Sequence, residues 1–209
     1  MLAGGASRRW GGIDKTAADL AGRPVLAHAV QGLPADLPVV VVGPAGHPFA
    51  DLADPARVRW TREDPPGGGP VAGLVAGLAA LRSAGMVDPD DVVLLAGDLP
   101  DAGSAVPRLL AALREPPEGE PVDVAVGVAP RGRRQPLLAV YRLAPLQALL
   151  AADAARGLPP GGRAMRELLD RLRVQEVAVS AAEAFDLDTP ADLDALRSTV
   201  HPRGLGSRP

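Results

Sequence analysis

Two short runs, Val39-Val-Val-Val42 and Val92-Val-Leu-Leu95, contain no polar residue and do not alternate. A strand with one face in water alternates apolar and polar side chains, whereas a strand covered on both faces has no need to. Both runs therefore predict buried strands of a mostly parallel sheet with helices on either side. The intervening segments agree. Val25 to Leu33 places Val25, Leu26, Ala29, Val30 and Leu33 at helical spacing, behind a Pro24 suited to a first turn. Further helices are expected from Gly69-Pro70 to Arg82, over 107–114, 145–152 and 164–172, and from Thr189-Pro190 to Arg197. Strands are expected over 58–60, 122–128, 135–142 and 174–179. This is one α/β domain over residues 1–198, with a disordered tail at 199–209 and a mobile loop at 157–162.

Composition limits what the domain can do. Aromatic residues make up 2% of the chain, so Leu, Val and Ala must build the core. A net charge of −3 argues against a general nucleic-acid binder. The absence of cysteine excludes disulfides, thiolate metal sites and a cysteine nucleophile. No apolar run approaches the ~18 residues of a membrane span, and no signal peptide is visible, so a cytoplasmic location is expected.

The first fifteen residues, Met1-Leu-Ala-Gly-Gly-Ala-Ser-Arg-Arg-Trp-Gly-Gly-Ile-Asp-Lys15, run from an apolar stub into two glycine pairs and a basic cluster. Glycines let several backbone N–H groups approach a phosphate, and Arg8, Arg9 and Lys15 bring positive charge. The stretch matches neither standard phosphate-loop pattern, and an ordinary glycine-rich turn fits it as well. Lys15 shifts the balance. It is the only lysine among 22 basic residues in a chain that also has no asparagine and one isoleucine. Such usage resembles GC-rich coding, and a lysine that persists against it points to a role for a compact ammonium. The stub leaves only Met1 and Leu2 ahead of Ala3-Gly4-Gly5, against about five residues for a usual central strand. Either the true start lies a few codons upstream or the strand is shortened, which mass spectrometry of the native protein distinguishes.

Val92 to Leu95 leads into Ala96-Gly-Asp98-Leu-Pro100, an aspartate at the C-terminal end of a buried strand, the edge where open α/β sheets bind ligands. Asp98 reads as a Mg²⁺ ligand or as a cap for the helix after Ser104. Arg131-Gly-Arg-Arg-Gln135 reads as a basic turn that reaches a phosphorylated substrate or is simply solvated.

Leu2-Ala-Gly-Gly-Ala-Ser-Arg8 through Gly12-Ile-Asp-Lys15 resembles the N-terminal motif of the molybdenum cofactor guanylyltransferases, with Trp10 where that family usually has Met. Gln135-Pro-Leu-Leu-Ala-Val-Tyr141 resembles a second family segment. Phe185-Asp-Leu-Asp-Thr-Pro-Ala-Asp-Leu193 resembles a third, in which asparagines usually stand where this chain has Asp186 and Asp188. The resemblance implies a Rossmann-like three-layer α/β/α nucleotidyltransferase fold. It implies transfer of GMP from GTP to the terminal phosphate of molybdopterin carrying its metal, with release of pyrophosphate. By the same match, Leu2, Ala3 and Gly4 line the nucleotide, and the Gly4 and Gly5 amides hold the triphosphate. Arg9 and Lys15 neutralise the leaving pyrophosphate, Asp64 sits near the guanine, and Asp98 holds Mg²⁺ with Asp188 a candidate second ligand. Contact with the enzymes that make and use the cofactor is implied by the acceptor's instability. Asp186 and Asp188 keep a cytidylyltransferase open, the wider superfamily keeps open a phospholactate or sugar phosphate as acceptor, and the short first strand and Trp10 keep open an inactive nucleotide-binding module.

Overall fold

The computed structural model describes residues 1–4, 10–85, 90–116 and 121–199. The expected tail from 199 therefore lies, from Val200 on, outside the described residues. In chain order, a small hairpin of β1 (Asp19–Leu20) and β2 (Arg23–Pro24) leads into α1 (Val25–Gln31). There follow β3 (Val39–Val42), β4 (Val58–Thr61), α2 (Pro70–Ser83), β5 (Asp91–Leu95) and α3 (Val106–Arg114). The chain continues with β6 (Val124–Ala129), β7 (Arg133–Arg142), α4 (Leu143–Ala155), α5 (Met165–Leu169), β8 (Val174–Ala178) and α6 (Pro190–Thr199). Among the described residues no helix is long and apolar enough to cross a membrane.

β3 and β4 pair in parallel, and a four-stranded sheet runs in the order β5-β7-β6-β8. The first three residues join them. Leu2 bridges in parallel to Val42 on one side and Ala96 on the other. Its N–H donates to Leu95 O and its carbonyl accepts from Gly97 N–H, at 2.8 and 2.7 Å; Ala3 N–H donates to Val42 O at 2.8 Å. This seam makes one continuous surface in which β7 runs against its neighbours while β6 and β8 are parallel. The mostly parallel sheet expected from sequence is present, with its first strand reduced to the seam.

Period-2 alternation divides the core. Leu95, Ala125, Leu138 and Val140 face α1 and α3; Leu94, Val124, Val126, Ala139 and Tyr141 face α2, α4 and α5. The result is the expected three-layer arrangement. A satellite cluster of Trp10, Leu20, Val25, Leu187 and Leu193 ties the N-terminal segment to α6. The loop expected to move at 157–162 is fastened at its end: Gly162 N–H donates to Gly68 O, and Arg163 pairs with the buried Asp153, each close to 2.9 Å.

Between β6 and β7 the register shifts at Val126/Gly127, so that Pro136–Leu138 bulge from the pairing with β6 while Leu138 stays paired with Leu95 of β5. Pro136 has no N–H to lose, and the Tyr141 hydroxyl donates to its carbonyl at 2.9 Å. The Leu137 carbonyl accepts from Ala96 N–H instead. A bulge re-aims side chains, and this one turns Leu137 toward the sheet edge described below.

Two substitutions test this architecture. A Cβ on Gly43 would lie 2.7 Å from Ala3 O, so Gly43→Ala must displace the seam. It lowers stability by about 2 kcal/mol in urea unfolding; a neutral result would contradict the packing. Glu183 links α3 to the segment after β8. Burial alone would raise its pKa, but hydrogen bonds from Arg108, the Ser180 N–H and Ser104 outweigh that and bring it down to about 2. The folded value lies below the unfolded 4.5, so this stabilisation is complete above pH 4.5 and is lost as pH falls toward 2. Glu183→Gln costs about 2 kcal/mol at neutral pH, and the gap to wild type closes over that acid window in thermal melts.

Candidate active site

At the C-terminal edge of the sheet lies a cavity of about 600 Å³. Leu2, Val42 and Ala96, at the ends of the seam, β3 and β5, form its floor. Gly67, Gly69, Pro70 and Gly73 bring in the loop and first turn of α2. Trp10, Asp14, Lys15 and Thr16 stand opposite, with Asp98, Leu137 and Asp188 beyond and Glu63 at the rim. α2 approaches this closely because Gly73 faces Leu2 and Gly77 faces Val42, leaving no room for larger side chains. Its free N–H groups form a ready anion site.

Three charged groups converge here from distant parts of the chain. The Lys15 ammonium pairs directly with Asp98 and lies 3.7 Å from Asp188. Leu187 N–H donates to Asp98 O at 3.2 Å, fastening the segment before α6 to the end of β5. Asp98 therefore faces a cation, and the short helical turn after it begins without a side-chain cap, so the capping alternative is not realised. The cap of α6 forms instead within its own motif. Asp192 accepts from the Thr189 hydroxyl at 2.9 Å and from the N–H groups of Thr189 and Asp188 at 2.6 and 3.0 Å, which lowers its pKa and holds the Asp188 backbone.

Lys15 is presented by a network that sequence reasoning missed. Asp14 Oδ1 accepts from Thr16 N–H and from the Thr16 hydroxyl at 2.9 and 2.7 Å. Buried His47 accepts Phe49 N–H at Nδ1, which leaves Nε2 to donate to the Thr16 oxygen, 3.0 Å away. Desolvation lowers the His47 pKa against the pull of Asp14, keeping the ring neutral in that tautomer. The ring also lies 4.0 Å from Asp14 Oδ2 and against Trp60, with ring centroids 5.4 Å apart. The Asp-x-Thr pair is itself a turn-capping signal that could have been read, whereas the approach of His47 is long-range and leaves no local trace.

Of the residues singled out from sequence, Leu2, Gly4, Lys15, Asp98 and Asp188 all line this cavity, and Ala3 lies buried beneath it. Gly5 and Arg9 lie outside the described residues. Asp64 does not line it. Glu63 is turned inward, its carboxylate accepting Gly67 N–H at 2.9 Å, while Asp64 faces a separate groove with Arg59, Arg62 and Ala76.

Chemically, the cavity offers backbone amides and an ammonium for phosphate oxygens, and two carboxylates for a hard cation. Thr16 is committed to Asp14 and there is no cysteine. The machinery thus suits transfer by positioning and charge neutralisation more than a covalent intermediate.

A family model described as the MobA-like NTP transferase domain matches residues 1–183. The chain belongs to this family. A molybdenum cofactor guanylyltransferase of Cupriavidus pinatubonensis is 33% identical over 200 residues, covering 95% of this chain and 93% of that protein. A probable molybdenum cofactor guanylyltransferase of Chloroflexus aggregans is 36% identical, covering 75% and 72%. The crystal structure of molybdopterin-guanine dinucleotide biosynthesis protein A from Archaeoglobus fulgidus superposes with a TM-score of 0.62 at 23% identity, covering 95% of each chain. That likeness confirms the nucleotidyltransferase fold.

If Lys15 and Asp98 act on phosphates, Lys15→Ala and Asp98→Ala each reduce nucleotidyl transfer about 100-fold or more while the circular dichroism spectrum is preserved. A loss of merely severalfold in either would remove it from the mechanism.

Proposed function

We propose that this protein transfers GMP from GTP to the terminal phosphate of molybdopterin already carrying its metal. A phosphate oxygen of the acceptor attacks the α-phosphorus of GTP. The bond from that phosphorus to the bridging oxygen breaks, and pyrophosphate departs with the electron pair. The observation that supports this most is the meeting of Lys15, Asp98 and Asp188 beside the α2 N-terminus, in a chain of this family. The guanylyl and molybdopterin specificities are those named for its relatives.

Lys15 neutralises the charge that builds on the leaving pyrophosphate, held in place by the Asp14–Thr16–His47 network. Arg9 adds to that role by its place in the motif, and the Gly4 and Gly5 amides with the α2 N-terminus cradle the phosphates. The donor set fits Mg²⁺, an ion commonly held by one or two carboxylates plus substrate phosphates. Asp98 and Asp188 would hold it, supplying charge neutralisation across the reacting phosphates. Both already face a cationic group, so a cation at this place meets prepared ligands. For the base, Glu63 at the rim presents a carboxylate that could accept from guanine N1–H and N2–H₂, and Asp64 would need to turn from its groove to do the same. GTP supply argues for the cytoplasm, and an unstable acceptor argues for direct hand-off from the enzymes that make and use the cofactor.

A specific observation weakens the cytidylyl alternative: of the two aspartates that raised it, Asp186 lies outside the nucleotide cavity, 3.6 Å from Arg133. Titrating GTP, CTP and ATP in parallel, with Mg²⁺ and with EDTA, tests the reading. Tightest binding of GTP, weakened by EDTA, is expected; a CTP preference overturns the base assignment, indifference to EDTA overturns the metal, and no binding of any nucleotide revives the inactive module.

A further inference from the structure

Beside the nucleotide cavity lies a second pocket of about 400 Å³ between the β6–β7 turn and the segment before α6. Arg131, Arg133, Gln135, Phe185 and Asp186 line it. Two chain segments run from one pocket to the other. Gln135 faces the second pocket and Leu137 the first; Asp186 faces the second and Asp188 the first. Each step spans two residues, and at the second the chain is turned tightly, Asp188 N–H donating to Asp186 O at 3.1 Å.

The lining has unused binding capacity. The Gln135 amide nitrogen is buried and finds no hydrogen-bond partner among the described residues. An unsatisfied buried donor is costly, and its presence beside a pocket calls for a ligand acceptor. Arg131 forms no ion pair among the described residues and is held at φ +80°, a conformation unfavourable for a side-chain-bearing residue and cheap for glycine. Arg133 is loosely matched by Asp186, and Arg134 is engaged by Glu176 at 2.6 Å. The pocket thus combines excess positive charge, a buried amide donor and the Phe185 ring. The same arginines and glutamine form the basic turn that the sequence marked and the nucleotide cavity does not use.

We infer that this pocket holds the body of the acceptor. The class that fits is a phosphomonoester attached to a fused heterocycle with hydrogen-bond acceptors and an anionic edge. Its phosphate enters the nucleotide cavity beside Asp98, its ring lies along Phe185 with an acceptor atom on Gln135, and its anionic edge meets Arg131 and Arg133. The two-residue offset between pockets suits a ring carried one short linker away from the reacting phosphate. This inference rests on the proposed transfer to molybdopterin, an acceptor of that class.

The test is steady-state transfer by the full chain, varying GTP and molybdopterin separately, with isothermal titration of GTP as an independent readout. Arg131→Gly, which relieves the backbone, and Arg133→Ala each raise the acceptor KM about tenfold, one charge-assisted contact's worth. GTP affinity and the KM for GTP stay within about twofold. Gln135→Glu, which retains shape but replaces the donor by an acceptor, raises the acceptor KM in the same way. Unchanged acceptor KM in the arginine variants overturns the subsite, as does an equal loss of GTP affinity. If wild-type protein binds GTP yet transfers nothing to molybdopterin, the proposed function fails and the subsite with it; transfer indifferent to these variants removes the subsite alone.

Discussion

Three residues hold the two halves of the sheet together. The seam of Met1, Leu2 and Ala3 exchanges hydrogen bonds with β3 on one side and with the end of β5 on the other. Three glycines far apart in sequence make room for it. A Cβ on Gly43 would strike Ala3 O, one on Gly97 would crowd Leu2 O, and one on Gly73 would crowd the Leu2 side chain. Because Gly4 follows immediately, the strand pairing that joins the sheet also fixes where the glycine loop leaves it. Stability and the shape of the cavity are coupled at this point, through backbone contacts that leave little space for adjustment.

The electrostatic design follows from where the seam delivers the chain. Lys15 is useful only if it is aimed at the end of β5, and Asp14, Thr16 and His47 aim it. A neutral His47 suits that task. It can accept from Phe49 and donate to Thr16 at once. An arginine at 15 would bring a planar fork to a place where Asp98 and Asp188 approach from different elements, and a point charge serves such a geometry better.

Local pattern made much of this visible in the sequence. The unbroken Val39–Val42 run, the helix after Gly69-Pro70 and the aspartate closing β5 each carry their own signal, and each is where its signal put it. Long-range pairing was not legible. The insertion of β7 beside β5 pairs positions more than 40 residues apart, and the bulge at Pro136–Leu138 depends on Ala96 and Tyr141 completing the hydrogen bonds. Asp64 illustrates the same limit: residues 63 and 64 are both acidic, and only the hydrogen bond from Gly67 decides that Glu63 turns inward. His47 reaches Thr16 across 31 residues, a contact no spacing rule contains.

The segment before α6 shows how a short motif can serve two pockets. Leu187 is fully buried against Trp10, Leu20 and Val25, and its N–H is bound to Asp98 O. With that residue anchored, its neighbours project to either side of it. Asp188 meets Lys15 in the nucleotide cavity, and Asp186 meets Arg133 in the adjoining pocket. Two chemically identical carboxylates thereby acquire different partners from a single buried leucine. A base-specific role shared by both is hard to reconcile with that division, since only Asp188 lines the cavity beside α2. The arrangement accords better with the proposed division of roles, Asp188 toward a metal and Asp186 toward the acceptor, the two held in register by the residue between them.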